Sequence, residues 1–147
     1  MSIAKTAVVI LLAGAVLTAL AEGSPPASAS KSVVRFAGAD LTSLLQSSTA
    51  VKKTTAIRTT TAVPMFKSDD QKFSSGVFSS TAGYVEFDSY AADEFCYIVS
   101  GEATLTAADG TVTKLAAGDA ITVPKGWKGR WDTSGYTKYF VSYRSAR

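Results

Sequence analysis

Histidine is absent from the 147 residues. That absence excludes a Ser-His-Asp or Cys-His nucleophile system and any histidine-ligated zinc, iron or copper site. Cysteine occurs once, as Cys96, so no internal disulfide forms and the fold stands on its core alone. Charge is sparse, at 18% of residues with a net of +3. The Lys and Arg lie singly or in pairs. No basic stripe tracks a nucleic-acid backbone, so no nucleic-acid partner is expected and the charges read as a solubilising surface. The glycine-containing turns lack any phosphate-loop pattern. After the N-terminal apolar run there is no long amphipathic helix and no internal repeat.

What is present begins with an export pattern. Lys5 precedes an apolar run from Thr6 to Leu20, and Ala19-Leu20-Ala21 is a small-x-small cleavage site. Residues 1–21 are therefore expected to be a signal peptide, with Ala27-Ser28-Ala29 as a later cleavage site. The rival reading is a retained membrane anchor, although the run falls short of the ~20 apolar residues of a spanning helix. No cysteine follows the run, which argues against a lipoprotein anchor. The expected location is an exported one (periplasm, extracellular space or secretory compartment), with no membrane contact after cleavage. Residues 22–32, with Pro25, Pro26 and several serines, read as a flexible leader.

Residues 33–75 read as N-terminal strands or an arm. Val33–Phe36 is a candidate strand, and Asp40 a candidate cap for a short helical turn through Leu45. The Thr/Ser/Val-rich stretch from Ser47 to Thr61 reads as a strand or an extended arm. Gly76–Phe78 and Gly83–Asp88 read as two short strands around a turn.

The stretch from Asp93 to Trp131 organises the rest. Phe95–Val99 and Ala120–Val123 are apolar on both faces, as buried strands are. Asp109-Gly110 is a strong hairpin signal, because Gly accepts the positive φ that such a turn needs. Gly118-Asp119 and Pro124-Lys125-Gly126 mark two more turns. Lys128, Arg130 and Asp132 alternate with Gly129, Trp131 and Thr133. Ser134-Gly135 reads as a turn before a last strand, Thr137–Tyr143. Short strands with regular turns predict an all-β chain, an antiparallel barrel or sandwich.

These residues resemble the cupin superfamily. Glu94 and Gly101 have the spacing of the first cupin motif, and Gly118-Asp119, Pro124 and Gly126 match the second. More narrowly, Asp93–Ile98, Arg130-Trp131 and Lys138-Tyr139 are similar to the (S)-ureidoglycine aminohydrolase-like and EutQ-like cupin group. The resemblance covers roughly residues 76–143. It implies a small antiparallel jelly-roll barrel, with residues 76–147 as its core. Metal cupins place ligands at positions that fall here on Asp88, Tyr90, Glu94 and Gly129, so three of the four usual ligands are replaced. No metal and no other cofactor is expected. The aminohydrolase activity, which in that family depends on a metal, is not carried over.

In a barrel, alternate residues face the lumen. The motif register sends Glu94, Cys96 and Ile98 inward, opposite Gly129 and Trp131, with Tyr84, Glu86, Asp88 and Tyr90 joining from the neighbouring strand. The competing register buries Val85 and Phe87 and sends Glu86 and Asp88 to solvent. Glu94 is the candidate catalytic residue, because a carboxylate on an apolar strand is either paired or neutral. If unpaired it suits general acid–base work. If paired, Lys138, Lys125 or Arg130 supplies the cation. The candidate ligand-binding residues are Tyr84, Asp88, Tyr90, Cys96, Trp131 and Lys138. Cys96 reads more simply as a buried thiol, Trp131 and Tyr90 as core aromatics, and Lys138 as an outward charge. Trp127 is expected on a surface or against a partner.

The leading expectation is an exported cupin that binds a small polar molecule in its barrel without a metal. Two alternatives stay open. One is a metal-independent isomerase, lyase or amidohydrolase-type enzyme that uses Glu94 with a tyrosine. The other is a structural or interaction module, including a homodimer that exchanges its N-terminal arm.

Overall fold

The computed structural model describes residues 32–145. The expected signal and most of the leader lie outside them. Among the described residues no helix is long and apolar enough to cross a membrane. From Val33 onward the described chain is one compact unit.

A 3-10 turn, Gly38–Asp40, leads into a single short helix, α1 (Leu41–Leu45). Seven strands follow: β1 (Val51–Thr54), β2 (Thr59–Lys67), β3 (Phe73–Phe87), β4 (Asp93–Ala107), β5 (Val112–Ala116), β6 (Ala120–Val123) and β7 (Gly129–Tyr143). Every pairing is antiparallel, in the order β1-β2-β3-β7-β4-β5, and β6 pairs with β4 beside β5. The strands make a jelly-roll of the cupin type. It is not a closed barrel: the hydrogen-bonded ladder ends at β1 on one side and at β5 and β6 on the other.

Several sequence expectations need correction. Val33–Phe36 is not a strand; Phe36 instead packs edge-on against Tyr139, with ring centroids 5.5 Å apart. The two short strands read around residues 79–82 are one strand, β3, and Ser134-Gly135 lies inside β7 rather than in a turn. Within the stretch from Ser47 to Thr61 the strand reading holds instead: β1 and the start of β2 lie there and pair as a hairpin. Nor does the sheet divide at residue 76, because β3 runs through that point and β2 pairs with it.

Glycine explains why turn-like composition does not break these strands. Gly83, Gly101 and Gly135 take φ of 140°, 77° and 129° in a band that crosses β3, β4 and β7. At Gly101 the requirement is also spatial, since an added Cβ would fall against the carbonyl oxygen of Gly135 and 2.8 Å from the Tyr136 Cα. The band bends three long strands together and, with the bulges of β4, switches which residues face inward. On β4 the inward set is Glu94, Cys96 and Ile98 before the band, then Ala103 and Leu105 after it. On β7 it is Trp131 before, then Tyr136, Lys138 and Ser142. On β3 it is Phe78 before, then Val85 and Phe87.

The core formed this way contains Cys96, Ile98, Leu105, Leu115, Val123 and Trp131, with Phe87, Tyr90 and Trp127 packed on it. Helix α1 packs on β2 and β3, whose paired Val63 and Val77 are fully buried. Each fully buried apolar side chain contributes roughly 1.5–3 kcal/mol relative to exposure. A core of this size therefore holds the domain without a disulfide.

Candidate functional site

Inside the roll, β4 and β7 lie side by side, with Ile98 opposite Lys138, Cys96 opposite Phe140 and Glu94 opposite Ser142. This register points the Lys138 side chain inward, diagonally toward Glu94. The Lys138 Nζ donates to Glu94 Oε1 at 2.6 Å and to Cys96 Sγ at 3.4 Å. The two side chains of the ion pair are only 6% and 14% exposed. The alternative reading of Lys138 as an outward charge is therefore corrected. The other cations proposed for Glu94 are engaged elsewhere: Lys125 bonds Ser145, and Arg130 pairs with Asp132 and Glu86 on the outer face.

Three donors converge on one carboxylate oxygen. Besides Lys138, the Tyr90 hydroxyl donates to Glu94 Oε1 at 3.0 Å and the Cys96 thiol at 3.2 Å. Tyr90 arrives from the bend after β3. Its N–H donates to the Trp127 carbonyl and its own carbonyl accepts from the Gly126 N–H, both at 2.8 Å. The Pro124-Lys125-Gly126 turn is further tied to β4 by the Lys125 N–H, which donates to Asp93 Oδ1 at 2.9 Å. The turn that the sequence marks is thus the clamp that holds Tyr90 over Glu94.

Aromatic faces surround the ammonium. Lys138 Nζ lies 4.6 Å from the Trp131 ring centre, 5.3 Å from Phe78 and 5.9 Å from Tyr136. Such contacts offset part of the cost of drying a cation. Trp131 stacks on Tyr136 at 5.7 Å, and its buried Nε1–H has no hydrogen-bond partner among the described residues.

Burial controls the proton chemistry. It pushes the Cys96 thiol up to about 12, against a smaller opposing pull from Lys138. Burial likewise raises the Tyr90 and Tyr136 phenols. For Lys138, burial alone would lower the ammonium's pKa. The acidic groups around it, Tyr136, Glu94, Cys96 and Tyr90, reverse the sign and leave it raised, and Glu94 is the only carboxyl among them. Lys138 is therefore a fixed cation, while Cys96 and Tyr90 are protonated donors at neutral pH. Neither supplies a thiolate or phenolate nucleophile.

A cavity of about 390 Å³ opens beside this cluster. Its wall includes Glu94, Lys138, Tyr90, Trp131, Phe78 and Phe87, with Arg58 and Arg144 also lining it. The sequence-predicted residues Glu94, Tyr90, Cys96, Trp131 and Lys138 thus come together in one place. Tyr84 and Asp88 do not. Val85 and Phe87 pair with Trp131 and Gly129 and take the inward positions of β3, which sends Tyr84 and Glu86 to the other face. There Tyr84 lies under the Arg130 guanidinium at 3.8 Å, and Asp88 is exposed. The competing register thus holds for β3 alone. Trp127 is corrected as well: it packs inward on Phe87 and Tyr90.

Arg58, Phe78, Ser142 and Arg144 went unnoticed in the sequence. The inward alternation of Tyr136, Lys138, Phe140 and Ser142 was a usable signal for Ser142. None marked Arg58, which sits in the β1–β2 turn.

The residues at the ligand positions of a metal cupin do not fit a metal. Asp88 is exposed in the bend after β3, and Gly129 has no side chain to donate. A side chain at Gly129 would meet the Thr106 carbonyl and come within 2.6 Å of the Trp127 ring. The retained carboxylate already holds an ammonium, which repels a second cation. Among the described residues no three His, Cys, Asp or Glu side chains converge as a metal site would require.

Residues 67–139 match the family described as the EutQ-like cupin domain. No functionally curated protein is significantly similar to the chain. Among solved structures, the EutQ protein of Clostridium difficile is 17% identical over 61% of this chain and 71% of its own, with a TM-score of 0.53. A protein of unknown function from Rhizobium leguminosarum is 14% identical over 78% of this chain and 100% of its own, at 0.55. Another from Pseudomonas syringae pv. tomato is 14% identical over 63% and 43%, at 0.57. Identities this low carry the fold and not an activity. The chain belongs to the cupin superfamily, in its EutQ-like group.

Proposed function

We propose that this domain binds a small organic molecule in the lumen of the roll and does so without a resident metal. The observation that supports it best is the cavity of about 390 Å³, whose wall combines aromatic side chains with a pre-formed polar cluster. That size and lining are typical of small-molecule sites. Binding is favoured over catalysis because burial keeps the Cys96 thiol and the Tyr90 phenol protonated, and Lys138 holds Glu94 in an ion pair.

The test is a thermal-shift screen of metabolites against the wild type and Ala62→Trp, which plugs the cavity from β2. Compounds that stabilise the wild type but not the variant are expected. Stabilisation of neither, or equally of both, would sink the proposal. A compound consumed by the wild type but only bound by Glu94→Gln would move the reading to an enzyme.

Two further expectations belong to this proposal. Export of the chain is supported by Lys5 and the apolar run after it, and is tested by the N-terminal sequence of protein recovered from the cell envelope or medium. Pairing with a second copy is supported by the outer face of β4 and β7. There Phe95, Tyr97, Val141 and Tyr143 form an exposed apolar surface on neighbouring strands, of the kind that commonly marks an interaction site.

A further inference from the structure

Resting on the binding reading above, we infer that the ligand is a small organic anion, a carboxylate head on a flat apolar body, with the head held at Arg58. Four charged side chains line the cavity: Arg58, Glu94, Lys138 and Arg144. Glu94 and Lys138 neutralise one another at 2.6 Å. Two positive charges remain, and neither Arg58 nor Arg144 has a carboxylate partner among the described residues. The acids nearest the other cations are committed, Asp70 to Lys72 and Glu86 and Asp132 to Arg130.

Arg58 is the better placed of the two. It is half-buried, whereas Arg144 is exposed. Its backbone is fixed in the β1–β2 turn: its N–H donates to Thr55 Oγ1 at 3.1 Å, and its carbonyl accepts from the Thr55 N–H at 2.9 Å and the Thr55 hydroxyl at 3.0 Å. The positive charge of Arg58 opposes the larger rise that burial imposes on the Tyr136 phenol. Arg58 lines the cavity together with Tyr136, on a backbone held by Thr55. A guanidinium in this setting suits a carboxylate, which it grips through two parallel hydrogen bonds. Phe78, Phe87 and Trp131, which line the same cavity, suit a flat apolar body. A cationic ligand would add a third positive charge, and a neutral one would leave Arg58 unused.

Calorimetric titration with three probes of one shape tests this: 2-naphthoate, 2-naphthamide and 2-naphthylmethylammonium. Naphthoate should bind about tenfold or more tightly than the amide, as a charge-assisted hydrogen-bond pair implies, and the ammonium more weakly still. Arg58→Gln should remove the preference by weakening naphthoate far more than the amide, and Arg58→Lys should restore part of it. Equal affinity for amide and carboxylate, tighter binding of the ammonium, or a carboxylate preference that survives Arg58→Gln overturns the anion assignment and leaves the binding cavity standing. Failure of all three probes to bind overturns both.

Discussion

Replacing Lys138 with Met leaves Glu94 in the lumen without its cation, and replacing Glu94 with Leu leaves Lys138 without its anion. The two losses differ in size for a reason visible in the exposures, 6% for Lys138 and 14% for Glu94. A stranded buried charge can always escape by neutralising. At pH 7 that caps the electrostatic cost at about 5 kcal/mol for an ammonium and about 4 kcal/mol for a carboxylate, from their ordinary pKa values. In Lys138→Met, Glu94 keeps the Tyr90 and Cys96 donors and some access to the cavity, so its loss should fall below the cap, at roughly 3 kcal/mol. In Glu94→Leu, the ammonium keeps only aromatic faces and a thiol, so the loss should approach 4–5 kcal/mol, in the range for breaking a buried pair.

The double variant removes both charges and should cost less than Glu94→Leu alone, because a buried pair exchanged for apolar groups is often near neutral. Urea unfolding at pH 7 reads these values, and a 3 kcal/mol loss lowers the melting temperature by on the order of 10 °C in a domain of this size. The pH dependence supplies a second signature. Acid should relieve Lys138→Met, where the carboxyl takes up a proton, and alkali should relieve Glu94→Leu. Additive losses in the double variant, or single losses that do not respond to pH in these opposite directions, would refute the buried pair.

Three other outcomes are expected. Between pH 9.0 and 12 the unfolded chain releases the Cys96 proton while the folded chain keeps it, so stability should fall as pH rises; Lys138, whose ammonium is favoured by folding, acts in the same direction. A urea midpoint unchanged from pH 7 to 10.5, or rapid alkylation of native Cys96 at pH 8, would contradict the burial of the thiol. Gly101→Ala should destabilise by more than about 1 kcal/mol, since a side chain there meets both a positive φ and the Gly135 carbonyl; a denaturation midpoint equal to wild type would show that the glycine band is dispensable. Tyr97→Arg should shift the protein to monomer in light scattering without changing its far-ultraviolet spectrum, and an unchanged mass would dismiss the outer face of β4 as the dimer surface.

Local signals carried the scaffold of the site. Glu94, Gly101, Gly118, Pro124 and Gly126 lie where their spacing implies, and Asp109-Gly110 makes the hairpin between β4 and β5. Strand continuity was not legible, because a glycine that bends a strand and a glycine that ends one look alike in sequence. That ambiguity misassigned Tyr84 and Asp88: the band through Gly83 reverses which residues of β3 face inward. The orientation of Lys138 depends on a partner 44 residues away and on the register of β7 against β4, which no local pattern encodes. Trp127 was misread for a similar reason. Its place in a turn suggests exposure, yet the space above Gly129 draws it in.

The proposal that the roll keeps no resident metal beside the Glu94–Lys138 pair can be tested by elemental analysis of protein purified without chelators or affinity metals. Manganese, iron, nickel and zinc are predicted to be substoichiometric and no different in Glu94→Gln. One equivalent of any of them per chain, lost in Glu94→Gln, would contradict it.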